Sequence, residues 1–263
     1  MNFDAVLMIG FGGPEKPEDI RPFLENVTRG RRIPPARLEE VAHHYEQIGG
    51  RSPLNELTFR QAEALEGALR ARRDPIPVFV GMRNWHPYLA DTLRRMTAAG
   101  VKTAVGLIMA LQQSDSGWNQ YQRNVDDVLA ETGIALDLRY APPACDHPGF
   151  IEAAARRVGE CLARVPEESR AGAVLVFTAH SIPTSDPLVG RYVSQLRDSA
   201  ERVASRIGHP VWQLAYQSRS GRPQDPWLAP DINDVLRKLA GDGAKRVVVA
   251  PIGFVCDHVE VLY

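Results

Sequence analysis

The chain has 263 residues, with 31 Lys and Arg against 32 Asp and Glu, so its formal net charge is -1. This balance argues against a dedicated nucleic-acid surface, which usually carries a clear basic excess. The three cysteines form no disulfide framework and are typical of a reducing compartment. The sequence has no signal-peptide pattern and no apolar run near the roughly 18 residues of a membrane span, so we expect a cytoplasmic protein.

Short apolar runs alternate with segments of helical period along the chain. Strands are predicted at 5–11, 76–81, 103–110, 134–140, 173–180, 211–217 and 246–255. Helices are predicted at 56–73, 87–99, 119–131, 148–164, 190–207 and 231–240. Near-continuous runs of Val, Ile, Leu and Ala are typical of parallel strands that are buried on both faces. The alternation therefore predicts an α/β fold with parallel sheets and right-handed crossovers.

Individual residues predict details of these helices. In the first helix an apolar stripe predicts the buried face: Leu57, Ala64, Leu65, Ala68 and Leu69. Pro87 and Pro148 stand where the first turn of a helix tolerates proline. Asp231 is a candidate N-cap for the last helix.

The apolar runs fall into two groups, four before Pro142-Pro143 and three after it. We predict an N-terminal domain at 1–143 and a C-terminal domain at 144–263. Because the order of elements is the same in both, we expect two similar Rossmann-type domains with a cleft between them. The second group lacks a fourth strand, and the chain stops at Tyr263 soon after an apolar run. We therefore expect the second domain to be cut short.

Polar clusters follow the predicted strands. They occupy 11–14, 82–87, 112–118, 180–183, 217–227 and 257–260. In open α/β sheets, ligands bind outside the carboxyl ends of the strands. A cleft lined by such ends is a standard site for a small molecule.

The segment from Gly10 to Glu15 resembles a dinucleotide-binding loop only superficially. Glu15 stands where the fingerprint needs its third glycine, and Pro14 removes an N–H donor. The chain also has no Walker A sequence. We therefore expect no nucleotide cofactor.

His180 and Glu260 are the sharpest candidates on chemical grounds. A lone histidine is more often structural, yet a histidine at a strand end accepts a proton or binds a metal well near neutral pH. Glu260 follows an apolar strand, where a buried carboxylate needs a partner. One histidine and one carboxylate predict an open, exchangeable metal site rather than a closed structural one.

Two further groups of residues leave alternatives open. Arg29, Arg31 and Arg32 form either a solvated face or a clamp for carboxylates, which guanidinium groups bind in bidentate fashion. Trp118 and Tyr121 either pack in the core or offer a stacking surface to a flat apolar ligand with polar edges.

Spaced blocks over nearly the whole chain resemble the ferrochelatase family. They are residues 23–31, 45–54, 81–85, 177–183, 216–219, 226–228, 230–231, 251–255 and 257–263. The resemblance implies two chelatase-type domains with a porphyrin cleft between them. It also implies insertion of ferrous iron, as a substrate, into a porphyrin with release of two protons and without ATP. The block at 23–31 looks most like the bacterial branch that metallates coproporphyrin.

The resemblance assigns roles to particular residues. His180 matches the active-site histidine of the family and Glu260 its acidic partner, and both are expected to contact the metal. Ser52, Tyr121 and Tyr45 match polar contacts to the macrocycle or its propionates.

Two positions depart from the family pattern. Phe11 stands where many relatives have a tyrosine that can ligate the metal, so we expect no axial ligand from that position. His44 stands where some relatives have an arginine, so clamping of the propionates is expected to fall to Arg29 or Arg31.

Several alternatives remain at this level. The nearest is the same chemistry on protoporphyrin, and the next is a non-catalytic module that binds a tetrapyrrole or a metal; a nucleotide-dependent enzyme is a distant third. The resemblance leaves open an iron–sulfur cluster and transient contacts with neighbouring enzymes of heme biosynthesis.

Overall fold

A computed structural model describes residues 3–30, 33–220, 222 and 224–263. All seven predicted strands are present in this part of the chain, and each is shorter than predicted. They are β1 (Ala5–Gly10), β2 (Val78–Met82), β3 (Thr103–Ile108), β4 (Asp137–Tyr140), β5 (Val174–His180), β6 (Trp212–Gln217) and β7 (Val247–Ala250).

The six predicted helices are also present, and the described residues contain four more α-helices. In chain order they are α1 (Ile20–Thr28), α2 (Pro35–Gln47), α3 (Leu54–Ala71), α4 (Leu89–Ala98), α5 (Gln120–Thr132), α6 (Pro148–Ala163), α7 (Glu167–Arg170), α8 (Val189–Arg206), α9 (Ile232–Gly241) and α10 (Val259–Leu262). The predictions missed α1, α2, α7 and α10. The predicted start of α4 at Pro87 is wrong by two residues, because Tyr88 before it is extended.

The strands form two parallel sheets, which confirms the predicted fold class. One sheet has the order β2-β1-β3-β4 and the other has the order β6-β5-β7. In the first, Val6 on β1 lies opposite Val78 on β2 and Val105 on β3. In both sheets the first strand is central and the next two strands flank it. The chain therefore reverses direction across the sheet beside β1 and beside β5, which are the switch points where α/β sheets bind ligands.

The chain divides into two compact units. Unit 1 comprises residues 1–109, 120–142 and 256–263, and unit 2 comprises 110–119 and 143–255. The predicted boundary at 143 separates the two largest segments. A single boundary at 143 would place residues 110–119 with the N-terminal part and residues 256–263 with the C-terminal part. The structure instead places 110–119 in unit 2 and 256–263 in unit 1. The assignment of whole domains at 1–143 and 144–263 stays a prediction.

Helices cover both faces of β5 in unit 2. Leu175, Phe177 and Ala179 point to one face and pack in a cluster with apolar residues of α6 and α8. Val176 points to the other face and packs with Val235 of α9. Burying a large apolar side chain contributes roughly 1.5–3 kcal/mol to the free energy of folding. Since helices cover both faces of β5, apolar side chains on both faces stabilise the fold. This arrangement explains why the sequence of β5 is continuous rather than alternating.

The predicted buried face of α3 is wrong in part. Ala64 and Ala68 are exposed, and the buried residues of this helix are Leu54, Asn55, Thr58 and Ala62. The polar pair is buried because both side chains have hydrogen-bond partners. Thr58 Oγ1 donates to the carbonyl of Leu54 at 2.8 Å, and Asn55 bonds to the loop after β1.

Two predicted helix starts are confirmed. Asp231 caps α9 by accepting a hydrogen bond from the backbone N–H of Asn233 at 2.8 Å, and Pro148 occupies the first turn of α6. Among the described residues no helix is both long enough and apolar enough to cross a bilayer. The cytoplasmic location and the contacts with other enzymes stay predictions.

Candidate active-site residues in the two units

The loop that follows β1 in unit 1 depends on two glycines. Gly12 has a φ of +85°, and a Cβ atom there would lie 2.9 Å from the backbone nitrogen of Trp85. A Cβ atom at Gly13 would lie 2.8 Å from the Cβ of Ser52. The glycines therefore let this loop pack against two neighbouring segments.

Two buried asparagines hold the same loop. Asn55 exchanges two hydrogen bonds with the backbone of Gly13, at 3.0 and 3.1 Å. Asn84 donates from its backbone and its side chain to the carbonyl of Phe11, at 2.9 and 3.2 Å. Since buried polar groups are costly unless paired, this pairing fixes the loop at the switch point beside β1.

Aromatic side chains gather around Phe23 of α1. Its ring makes edge-to-face contacts with Phe11, Tyr45 and Trp85, with ring centroids 6.3, 5.9 and 6.1 Å away. Val259, the residue before Glu260, packs in the same cluster. Aromatic pairs of this geometry add about 0.5–1.5 kcal/mol to the burial of their area. The cluster therefore anchors the short segment that carries Glu260.

Tyr45 and Tyr121 are buried phenols that share an electrostatic neighbour. Burial raises the pKa of Tyr45 well above its ordinary value and raises the pKa of Tyr121 to about 12. The carboxylate of Glu260 also raises the pKa of both groups. Both hydroxyl groups are therefore protonated at neutral pH and can donate hydrogen bonds.

Arg83, which follows β2, was not predicted as a site residue. The central carbon of its guanidinium group lies 5.9 Å from the ring centroid of Phe11 and 5.5 Å from that of Tyr121. These are cation–π distances. Arg83 lies in the polar segment 82–87, which the sequence predicted to follow a strand. Nothing in the sequence distinguished Arg83 from the other polar residues of that segment.

A recess of about 400 Å³ is lined by Asn26, Arg29, Arg83 and Tyr88. Arg29 Nη2 donates to Asn26 Oδ1 at 2.7 Å, and Asn26 Nδ2 donates to the hydroxyl of Tyr88 at 2.8 Å. None of these four lining residues is acidic. Two guanidinium groups at one recess favour a ligand that carries a carboxylate.

Ser52 is buried and has local partners. Its backbone N–H donates to the carbonyl of Pro14 at 2.7 Å, and its Oγ accepts from the N–H of Leu54 at 3.3 Å. The hydroxyl hydrogen is not used in these bonds. Contact of Ser52 with a substrate stays a prediction.

Glu260 lies at the start of α10, beside His258. The Nδ1 atom of His258 accepts a hydrogen bond from the N–H of Glu260 at 3.2 Å, and it lies 4.0 Å from the Oε2 of the same residue. The Glu260 side chain is 37% exposed, so solvent reaches the carboxylate. A partly exposed carboxylate can bind a cation or exchange a proton at modest desolvation cost.

In unit 2, His180 is the last residue of β5, at the switch point beside that strand. Its Nδ1 makes a short hydrogen bond to the backbone carbonyl of Ser181. A carbonyl only accepts, so Nδ1 carries a hydrogen, and in the neutral imidazole the lone pair is therefore on Nε2. In that form Nε2 is the ring nitrogen that can accept a proton or bind a metal.

Residues of neighbouring segments hold the backbone carbonyl of His180 and the next residue, Ser181. The hydroxyl of Tyr192 donates to the carbonyl of His180 at 3.0 Å. Ser181 donates from its backbone to Gln217 and from its hydroxyl to Leu228, each at 2.8 Å. The Trp227 ring centroid lies 6.5 Å from that of His180. The imidazole is therefore held by the loops that follow β5 and β6.

The ferrochelatase family model matches residues 3–263. The chain belongs to the ferrochelatase family. Similar curated relatives include the coproporphyrin III ferrochelatases of Frankia alni and Mycolicibacterium smegmatis, at 47% and 44% identity. The alignments cover 99% and 100% of this chain, and 69% and 78% of those proteins. The corresponding protein of Streptomyces coelicolor is 45% identical.

Solved structures support the fold of this ferrochelatase-family chain. SirB from Bacillus subtilis, solved with Fe³⁺, aligns with a TM-score of 0.52 at 13% identity over 99% of this chain and 92% of that one. A multi-domain Deinococcus radiodurans protein with structural similarity to chelatases aligns with a TM-score of 0.50 at 17% identity, over 96% of this chain and 52% of that one. At such low identity these likenesses concern the fold alone.

The structure places the family-derived candidates in both units. Tyr45, Tyr121 and Glu260 are electrostatic neighbours in unit 1, and Arg29 lines the recess there, whereas His180 lies in unit 2. Arg31 lies outside the described residues. The described part of the chain contains no group of three or more His, Cys, Asp or Glu side chains that could hold a metal ion.

His44 stacks on Tyr263 with ring centroids 3.7 Å apart. Burial lowers the pKa of His44 below its ordinary value, although Glu40 opposes this shift. The ring is therefore mostly neutral at pH 7 and is a poor clamp for a carboxylate.

Proposed function

We propose that this protein inserts ferrous iron into coproporphyrin III to give Fe-coproporphyrin, with release of two protons and without ATP. The observation that carries the proposal is 44–47% identity, over 99–100% of the chain, to proteins named coproporphyrin III ferrochelatase. The arrangement of the candidate residues in each unit supports it.

The unit 1 residues provide the binding groups that such a substrate requires. Coproporphyrin is a flat aromatic ring with four carboxylates. The aromatic side chains around Phe23 border the loop that carries Phe11, and the recess at Arg29 and Arg83 supplies positive charge. The protonated phenols of Tyr45 and Tyr121 add hydrogen-bond donors beside them.

His180 is proposed as the proton acceptor. Two pyrrole N–H bonds break and Fe²⁺ binds to the four ring nitrogens, so Fe²⁺ replaces two protons and the charge of the ring core is unchanged. Pyrrole N–H groups are very weak acids, and bending of the ring by remote binding energy exposes the nitrogen lone pairs. The lone pair on Nε2 of His180 then takes up a leaving proton.

Glu260 is proposed as the acidic partner, in contact with iron or with the released protons. Its carboxylate is partly exposed and lies beside the imidazole of His258. A site with few protein ligands suits iron that has to leave for the porphyrin, since tight coordination would retain the metal.

The test is anaerobic insertion of Fe²⁺ by the purified wild-type protein, with coproporphyrin III and protoporphyrin IX at matched concentrations. We expect faster metallation of coproporphyrin III, with no requirement for ATP. Faster metallation of protoporphyrin IX would overturn the substrate assignment. Binding of porphyrin without insertion of iron would overturn the catalytic assignment and favour a tetrapyrrole-binding module.

A further inference from the structure

Asn26 is the central residue of the recess in unit 1. Its side chain joins Arg29, three residues later on the chain, to Tyr88, which follows β2. Its amide nitrogen also approaches the carbonyl of Asn84 at 3.4 Å. The side chain is half-buried, so these polar bonds are partly shielded from water.

The two partners determine which way the amide of Asn26 points. A guanidinium group only donates hydrogen bonds, so the atom that faces Arg29 must be the oxygen. The amide nitrogen consequently faces Tyr88 and donates to its hydroxyl oxygen at 2.8 Å. The orientation therefore follows from the chemistry of Arg29.

The orientation of the Asn26 amide determines the role of the Tyr88 hydroxyl. Because the phenol oxygen accepts from Asn26, its own hydrogen is directed to another acceptor. Contact between the rings of Tyr88 and His86, with centroids 4.4 Å apart, restrains the tyrosine further. Tyr88 thus brings an O–H donor to a recess that also holds Arg29 and Arg83.

We propose that Asn26 is a positioning residue which holds Arg29 and orients the Tyr88 hydroxyl, so that the recess binds one propionate of the porphyrin. The inference rests on the proposed function and adds Asn26 and Tyr88 to its binding residues. A carboxylate there receives hydrogen bonds from Arg29 and Tyr88 and lies in the field of Arg83. Without Asn26, Arg29 loses its bond to Oδ1 and adopts many rotamers, so binding costs more conformational entropy.

The first test is the Asn26→Ala variant, assayed for iron insertion into coproporphyrin III and for porphyrin affinity by fluorescence quenching. We expect KM and Kd to rise about tenfold, the scale of one charge-assisted hydrogen bond, with kcat within about twofold. Alanine favours a helix, so α1 is retained. The matched control is Glu25→Ala, an exposed neighbour on the same helix, for which we expect unchanged KM.

A double-mutant cycle tests whether Asn26 acts through Arg29. If it does, Asn26→Ala combined with Arg29→Ala raises KM by less than the product of the two single effects. Full multiplication of the effects would overturn the positioning role. Asn26→Asp keeps an oxygen for Arg29 but repels a carboxylate and cannot donate to Tyr88, so we expect a larger rise in KM than with alanine.

Tyr88→Phe tests the second part of the proposal. We expect a rise in KM of about three- to tenfold for the loss of one hydrogen bond. Unchanged KM and Kd in both Asn26→Ala and Tyr88→Phe, with an active wild type, would overturn the inference alone. An inactive wild type would instead overturn the proposed function.

Discussion

The Nδ1 atom of His180 donates its hydrogen to the backbone carbonyl of Ser181, the next residue in the chain. Ser181 is itself held by the carbonyls of Gln217 and Leu228. The direction of the Nε2 lone pair is therefore set by backbone groups at the end of β6 and in the segments that follow β5 and β6. Side chains on a rigid scaffold hold catalytic geometry better than side chains on free loops.

Replacing His180 by asparagine should separate catalysis from folding. The shorter amide can still donate to the Ser181 carbonyl, but it has no acceptor at the position of Nε2. We expect kcat for iron insertion to fall by about 10²–10⁴, with a melting temperature close to that of the wild type by circular dichroism. His147→Asn is the control, because asparagine is a good N-cap at this exposed position before α6. A His180→Asn variant that kept more than a tenth of wild-type kcat would refute this role.

Gly253→Ala should disturb the switch point beside β5. A Cβ atom there would lie 2.5 Å from the Cβ and 2.8 Å from the Cα of Ala179, the residue before His180. Relief requires a backbone shift, so we expect a loss of about 1–3 kcal/mol in unfolding free energy, measured with urea, together with lower kcat. In the matched variant Gly159→Ala of α6, the new Cβ meets no atom within 4 Å. That variant should gain about 0.4–1 kcal/mol, and equal losses in both variants would contradict the steric explanation.

Asp186 should make unit 2 sensitive to acid. Burial alone raises the pKa of this carboxyl, but N–H groups of Ser116, Leu188 and Asp115 donate to it and outweigh burial, so its pKa is lowered. The ionised Asp186 carboxylate therefore stabilises the folded state fully above the pKa that an aspartate has in the unfolded chain, about 3.9. This stabilisation is lost as the pH falls through the lower pKa of Asp186 in the folded state. We expect Asp186→Asn to cost about 1–3 kcal/mol at pH 7 and progressively less below pH 4.

Urea unfolding at several pH values measures this difference. Asp198→Asn is the control, because its exposed pair with Arg202 is worth about 0.2–1 kcal/mol. A deficit in Asp186→Asn that stayed constant from pH 7 to pH 3 would contradict the titration of this group.

The sequence pattern predicted β1 and β5 most clearly because both strands are buried along almost their whole length, and an apolar run is visible without any knowledge of the fold. It missed α1 and α2. On α1, Ile20, Phe23 and Leu24 are the buried residues, and in the sequence they stand beside charged residues and a proline. Short helices of this kind gain most of their stability from tertiary packing rather than from their own propensity.

The candidate site was predictable only where a residue was chemically conspicuous. His180 stood at the end of an apolar run, and Glu260 followed another apolar run together with Asp257 and His258. Asn26, Asn55 and Asn84 gave no such signal, because an asparagine is ordinary in any polar segment. Their importance depends on partners that are 3 to 73 residues away in the chain.

The three cysteines should differ sharply in reactivity toward a thiol reagent at pH 8. Burial raises the pKa of Cys256 to about 11 and also raises that of Cys145, whereas Cys161 is exposed on α6. Since only the thiolate reacts, we expect one thiol per chain to react rapidly and all three to react after unfolding in guanidinium. Cys161→Ser should abolish the rapid phase. A rapid phase of two thiols in the wild type would show that Cys145 or Cys256 is accessible in the native state.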